Sequence, residues 1–189
     1  MNIPTYTIDT VLMDPYQGKS VFSMMIHTIC FHRMIYKSVK PKEMCDPIYD
    51  NLYYIMIDDP LLNQRIEDRL ESIIHVLKER PSGTITLFFY HMKPSTGWFS
   101  KEDQIEMERW NIPFQWYELY DKSYPHSVKE ERIRQVYQSL LDKLSSAPVP
   151  IYQVINDYLP FDIVDSNKSN SLKDILQFII SGPPKLNLF

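Results

Sequence analysis

Glycine is scarce in this chain, which has four glycines among its 189 residues. Loops that bring several backbone amides against a phosphate or a dinucleotide depend on closely spaced glycines. The triplet Gly18-Lys19-Ser20 resembles the end of a phosphate-binding loop, but that motif needs another glycine five positions earlier, where this chain has Met13. The sequence therefore argues against nucleotide binding through such a loop.

Cysteine is rarer still. Cys30 falls in a predicted helix and Cys45 in a predicted loop, so the sequence contains neither a disulfide framework nor a set of thiolate metal ligands. The first four residues lack the features of a signal peptide, and the longest apolar stretch, around residues 21–31, is interrupted by Ser, His and Thr. We expect a cytoplasmic protein without a membrane span.

Positive charge is also not in excess, because the formal net charge is −4 and the pI is near 5.7. Proteins that bind nucleic acid usually present a basic face, so nucleic acid is disfavoured as a partner. The local basic stretch from Arg33 to Lys42 is predicted to be a solvated linker. With 44% hydrophobic residues the chain should nevertheless fold as one globular domain.

Residues with catalytic or metal-binding chemistry are present but form no motif. His27 and His32 are five positions apart, so on a helix they point about 140° away from each other and cannot share a metal ion. The acidic residues between Glu102 and Glu108 are predicted to lie on a solvated loop. We predict no catalytic residue, no metal and no cofactor, although a site assembled in space from distant residues stays open as an alternative.

The hydrophobic pattern predicts alternating strands and helices. From Ser20 onward the apolar residues leave almost no polar face, which is typical of a helix in the middle of a domain. A second helix is predicted from Pro60 to about Arg80 with Asp59 as its cap, and a third begins at the capping-box pattern of residues 127–130 and ends near residues 145–148. The predicted strands span residues 6 to about 14, 48–57, 84–91 and 112–120.

This element order predicts an α+β fold in which helices cover an antiparallel sheet. We expect a single domain over residues 1–189, with a core over about residues 1–146. Five prolines interrupt the apolar segments that follow, so residues 147–189 are predicted to form a C-terminal wrap of short elements.

The most informative pair of residues is Trp98 and Phe99, because both rings are flanked by turn-forming and charged residues. Burying such a ring removes roughly 150 to 250 Å² of surface from water, so leaving both on a loop forgoes several kcal/mol of folding free energy. One hypothesis is that the rings bind a partner. The alternative is that the loop folds back and the rings close one end of the core.

Four segments, in this order along the chain, resemble the autophagy-related protein 101 family of HORMA-domain proteins. The first helix contains Ile-His-Thr-Ile-Cys-Phe-His-Arg at residues 26–33, and a strand begins with Ile-Pro-Phe at residues 112–114, followed by Trp116. Asn-Asp-Tyr-Leu-Pro at residues 156–160 resembles the element that follows the third helix. Trp98 and Phe99 resemble the exposed finger of the family.

The resemblance implies a HORMA domain, in which three helices pack on an antiparallel sheet and a C-terminal region forms a safety belt. It implies a non-catalytic scaffold of autophagy initiation that pairs with and stabilises the HORMA domain of autophagy-related protein 13. Trp98 and Phe99 would recruit downstream factors to the preautophagosomal structure. The alternative within this fold is a HORMA adaptor of a checkpoint or DNA-repair pathway.

The pairing surface is predicted on the third helix. Ile133-Arg134-Gln135 resembles a tripeptide in the dimerising helix of the spindle-checkpoint HORMA protein. Arg134 and Gln135 lie off the apolar stripe of this helix, so they are either partner-binding residues or ordinary solvent-facing residues.

Overall fold

The computed structural model describes residues 3–33, 40–49, 51–93, 103–117, 124–148 and 160–166. These residues form an α+β structure with three helices and mixed sheets. The elements follow one another as β1 (Thr5–Thr7), β2 (Val11–Met13), α1 (Gly18–Arg33), β3 (Pro41–Cys45), β4 (Tyr53–Ile57), α2 (Pro60–Leu77), β5 (Ser82–Lys93), β6 (Asp103–Trp116), α3 (His126–Ser146) and β7 (Phe161–Asp165).

Helix α1 is the centre of the core, as predicted. Its side chains are buried on nearly every face, and Ile26 and Ile29 have no exposed surface. Strand β4 and helices α2 and α3 pack around it. At its first residue, a Cβ on Gly18 would lie only 2.7 Å from Cη2 of Trp116, so the start of the helix can approach the sheet only with glycine at this position.

The main sheet has the strand order β1-β6-β5-β7, and β2 also pairs with β6. Strand β5 is antiparallel to β6 and β7, whereas β1 and β2 both run parallel to β6. The prediction of an antiparallel sheet was therefore wrong for the N-terminal segment. That segment was predicted as one strand, but it divides into two short ones, because residues 8–10 leave the ladder after the Ile8 N–H donates to the Asn111 carbonyl oxygen at 3.1 Å.

Helix α2 holds β7 against the sheet edge. Asp59 caps the helix as predicted, accepting hydrogen bonds from the backbone N–H groups of Leu61 and Leu62. Arg69, on α2, forms an ion pair of 2.6 Å with Asp162, and Arg80, just beyond its end, forms one of 2.9 Å with Asp165. Strand β7 lies within the segment that was predicted to form a C-terminal wrap. Residues 149–159 and 167–189 of that segment lie outside the described residues.

Two polar segments were predicted wrongly. The basic stretch does not continue as a linker, because residues 41–45 form β3, antiparallel to β4, and Cys45 lies in this strand instead of a loop. The acidic stretch is not a loop either, because β6 begins at Asp103 and runs through Glu106 and Glu108. The sequence pattern did not predict β3 or the first half of β6, because their charged side chains obscure the apolar alternation of a strand.

Three predicted boundaries also shift. Strand β4 begins at Tyr53, five residues after the predicted start, and β6 ends at Trp116 instead of continuing to Tyr120. The predicted capping box at Ser127 is absent: α3 begins at His126, and its N-cap Pro125 provides no side-chain hydrogen bond. The end of α3 and its buried stripe of Ile133, Tyr137, Leu140 and Leu144 agree with the sequence.

Candidate functional site

The longest strand pair of the described structure is the hairpin of β5 and β6, which extends past its neighbours. Strand β7 pairs with β5 only as far as Phe89, and β1 pairs with β6 only from Arg109 onward. Beyond this ladder the Tyr90 N–H still donates to the Pro160 carbonyl oxygen at 3.0 Å, so among the described strands β5 pairs with β6 alone from His91 to Lys93. These last pairs form a two-stranded arm, residues 91–93 and 103–105, which leads into residues 94–102.

A β-bulge separates the arm from the sheet. Phe89 pairs with Glu108 but the next residue, Tyr90, pairs with Glu106, so Met107 is the extra residue on β6. A bulge bends a strand and increases its local twist, which turns the arm relative to the sheet. On the arm, Ile105 is paired with His91 and is 42% exposed.

Trp98 and Phe99 lie outside the described residues. The structure therefore leaves both hypotheses for these rings as predictions, the partner-binding finger and the core plug. What it describes is the two-stranded arm that precedes and follows them in the sequence, whose backbone pairing reaches Lys93 and Asp103.

The second predicted site lies on α3, where Arg134 and Gln135 stay outside the core. Arg134 donates to Glu130 at 2.7 Å, and its Nη1 donates to the Asn51 carbonyl oxygen at 3.2 Å. Gln135 is exposed and donates to Glu131 at 3.1 Å. The helix surface around Arg134 therefore adjoins the turn that precedes β4.

Strand β4 continues this surface with two large exposed side chains. Tyr53 is 55% exposed and Ile55 is 42% exposed, whereas Tyr54 and Met56 between and after them point into the core. Cys45 and Glu43 on β3 are their paired neighbours, and both are exposed. This face was not among the predicted sites, because the sequence predicted β4 only as a strand rich in tyrosine and isoleucine.

Two titratable groups of the core, His27 and Cys30, are buried in their neutral forms. His27 is 2% exposed, and burial lowers its pKa to about 4 against an opposing effect of Glu67, so the ring is neutral near pH 7. Burial raises the pKa of the Cys30 thiol, which keeps it protonated and unreactive. Among the described residues no cluster of His, Cys, Asp and Glu could hold a metal ion.

Within the part of the chain that the structure describes, every helix is too short or too polar to cross a bilayer.

The chain is similar to proteins of autophagy. The family described as autophagy-related protein 101 matches residues 10–164, which include every described helix. A related protein, autophagy-related protein 101 of Arabidopsis thaliana, is 24% identical over 115 residues, covering 59% of this chain and 53% of the relative. The chain thus spans about half the length of this curated relative. Because the family match extends over most of the sequence, the chain belongs to the autophagy-related protein 101 family.

Proposed function

We propose that this chain is a non-catalytic scaffold of autophagy initiation that forms a HORMA domain and pairs with the HORMA domain of autophagy-related protein 13. Membership of the family supports an autophagy-related role and favours it over a checkpoint or DNA-repair adaptor. The scaffold acts in the cytoplasm and is recruited to the preautophagosomal structure.

The observation that carries the proposal is the arm of β5 and β6. Its strands extend beyond β1 and β7, and the loop between them contains Trp98 and Phe99. Aromatic residues are enriched among the anchors of protein interfaces. In the proposed function this loop is the finger that recruits downstream factors.

The pairing surface is assigned to α3 and β4. Arg134 connects these elements through the Asn51 carbonyl oxygen, and Tyr53 and Ile55 add exposed aromatic and aliphatic area beside it. A surface with tyrosine and arginine at its centre has the composition of a protein interface. Gln135 lies on the same helix and extends the surface.

Co-expression with the HORMA domain of autophagy-related protein 13, followed by light scattering, tests the pairing. We expect a one-to-one heterodimer that Ile55→Asp and Arg134→Glu each weaken at least tenfold, since truncating an interface anchor costs about 2 kcal/mol or more. Gln64→Ala, on the exposed face of α2, serves as the control and should pair like the natural chain. Separate elution of the two natural proteins at micromolar concentration would contradict the proposal.

A further inference from the structure

A second surface lies at the N-terminal end of α3 and is built from tyrosine and basic side chains. The Tyr117 and Tyr124 rings are 6.1 Å apart, Lys129 lies 4.8 Å above the Tyr117 ring and Arg132 lies 4.8 Å above the Tyr124 ring. Lys129 also forms an ion pair of 2.8 Å with Asp14, two positions before Tyr16; this hydrogen bond is the first cause of the raised pKa of Lys129, and Tyr16 adds to the increase. We name this surface the tyrosine–arginine patch; it consists of Tyr16, Tyr117, Tyr124, Lys129 and Arg132.

Among the described residues, no carboxylate pairs with Arg132. Within the described residues its partners are the Tyr117 hydroxyl, to which Nη1 donates at 3.3 Å, and the Tyr124 side chain. The other arginines of the described structure bond either a carboxylate or a backbone carbonyl oxygen: Arg33, Arg65, Arg69, Arg80, Arg109 and Arg134. Within the described part of the chain, Arg132 is therefore held in place by aromatic groups while most of its five N–H donors face no acid.

The charged groups around Arg132 are engaged with other residues. The two acidic residues before it on α3 do not neutralise it, because Glu130 and Glu131 pair with Arg134 at 2.7 and 3.8 Å. Lys129 is itself neutralised by Asp14 at 2.8 Å. The patch is also partly apolar, because Tyr16 is 65% exposed and Tyr124 is 38% exposed.

We propose that the tyrosine–arginine patch binds an acidic peptide segment of a protein partner, with Arg132 binding a carboxylate and the exposed tyrosines contacting its apolar neighbours. A planar guanidinium that is already stacked on a ring loses little conformational entropy when it binds a carboxylate. Arg132 and Arg134 are two positions apart, about 200° around the helix, so this patch and the proposed pairing surface occupy different faces of α3. Binding here does not depend on pairing with autophagy-related protein 13.

A peptide suits the patch better than an anionic membrane does. Membrane surfaces attract clusters of several lysines and arginines. Among the described residues this patch has one unneutralised cation, Asp14 lies beside Lys129, and the net charge of the chain is −4. One arginine among tyrosines is instead typical of a site that recognises a single carboxylate with adjacent apolar groups.

Fluorescence anisotropy with the full chain tests the proposal. The probe is a fluorescein-labelled peptide that alternates glutamate with leucine, and its counterpart has glutamine in place of glutamate. We expect Arg132→Ala to weaken binding of the acidic peptide at least tenfold and Arg132→Lys to weaken it less, because lysine keeps the charge but not the planar stacking. Lys143→Ala, which removes a cation from the far end of α3, should bind like the natural chain.

Several results would overturn the proposal. These are equal binding of the two peptides, unchanged binding by Arg132→Ala, no binding by the natural chain at up to about 1 mM peptide, or binding only to vesicles that contain phosphatidylserine. Thermal melts monitored by circular dichroism accompany each variant. If Arg132→Ala does not fold, Tyr124→Ala replaces it, and the same tenfold loss is expected.

Discussion

Arg33 and Glu108 form an ion pair inside the core, with Nε of Arg33 2.7 Å from Oε1 of Glu108 and both side chains at most 2% exposed. The same carboxylate accepts a hydrogen bond from the indole N–H of Trp110. The Arg33 guanidinium lies 5.0 Å from the Trp110 ring, on which Tyr6 stacks. One charged pair thus joins the last residue of α1, the middle of β6 and the edge strand β1.

Arg33→Met should destabilise the protein by about 3–5 kcal/mol, because it leaves the Glu108 carboxylate buried without its main cation. Urea titration of the variant measures this loss. The double substitution Arg33→Met with Glu108→Leu removes both charges and should lose clearly less than the sum of the single substitutions. Additive losses would mean that the pair contributes no coupling energy.

Ile26→Asp and Ile29→Asp should each unfold the domain or destabilise it by at least about 3 kcal/mol. Both side chains are fully buried on α1, so either carboxylate would lie in the core without a partner. Thermal melting measures the effect. Leu61→Asp is the matched control, because Leu61 is 80% exposed and its substitution should change the stability by no more than about 0.5 kcal/mol. An unchanged melting temperature for either α1 variant would contradict its central position.

Helices α2 and α3 could be predicted from sequence because their apolar residues follow the helical period over several turns, and α1 because its apolar residues leave almost no polar face. Strand β3 and the first half of β6 could not, because Lys42, Glu43 and Glu106 hide the alternation. The burial of Arg33 and Glu108 depends on a contact between residues 75 positions apart, which no local pattern contains. The parallel pairing of β1 and β2 with β6 is likewise a product of tertiary contacts.

The candidate sites were predictable to different degrees. Arg134 and Gln135 could be placed outside the core because they lie off the apolar stripe of α3, and this was confirmed. The patch around Arg132 was not predicted, because it needs Tyr117 and Tyr124 to approach from outside the helix. The roles of all these residues stay predictions.

The stability of the protein should fall as the pH is lowered from about 6.5 to about 4, in part because of His27. Burial lowers the pKa of this ring to about 4, whereas histidine in the unfolded chain titrates near 6.5. Between these values the unfolded state binds the proton and the folded state does not, so acid favours unfolding, and the loss is complete below the folded pKa. The largest possible contribution is about 3 kcal/mol.

Urea titrations across this pH range compare the natural chain with His27→Gln. The variant cannot take up the proton, so its stability should depend less steeply on pH, whatever its stability at neutral pH. His75→Gln makes the same substitution at an exposed histidine and should keep the natural pH dependence. Parallel curves for the natural chain and His27→Gln would show that His27 does not carry the effect.

Trp98→Ala combined with Phe99→Ala should leave folding and pairing nearly intact but abolish starvation-induced autophagy, if the arm presents these rings to a partner. Exposed substitutions usually change stability by no more than about 0.5 kcal/mol, whereas losing an aromatic anchor costs about 2 kcal/mol or more of binding. If the rings close the core instead, the double variant should lose about 3 kcal/mol or more of stability. Denaturant titration and an autophagic-flux assay separate the two hypotheses, and Leu61→Ala controls for the loss of an exposed apolar side chain elsewhere. A stable double variant with normal flux would exclude the finger, and an unstable one would favour the core plug.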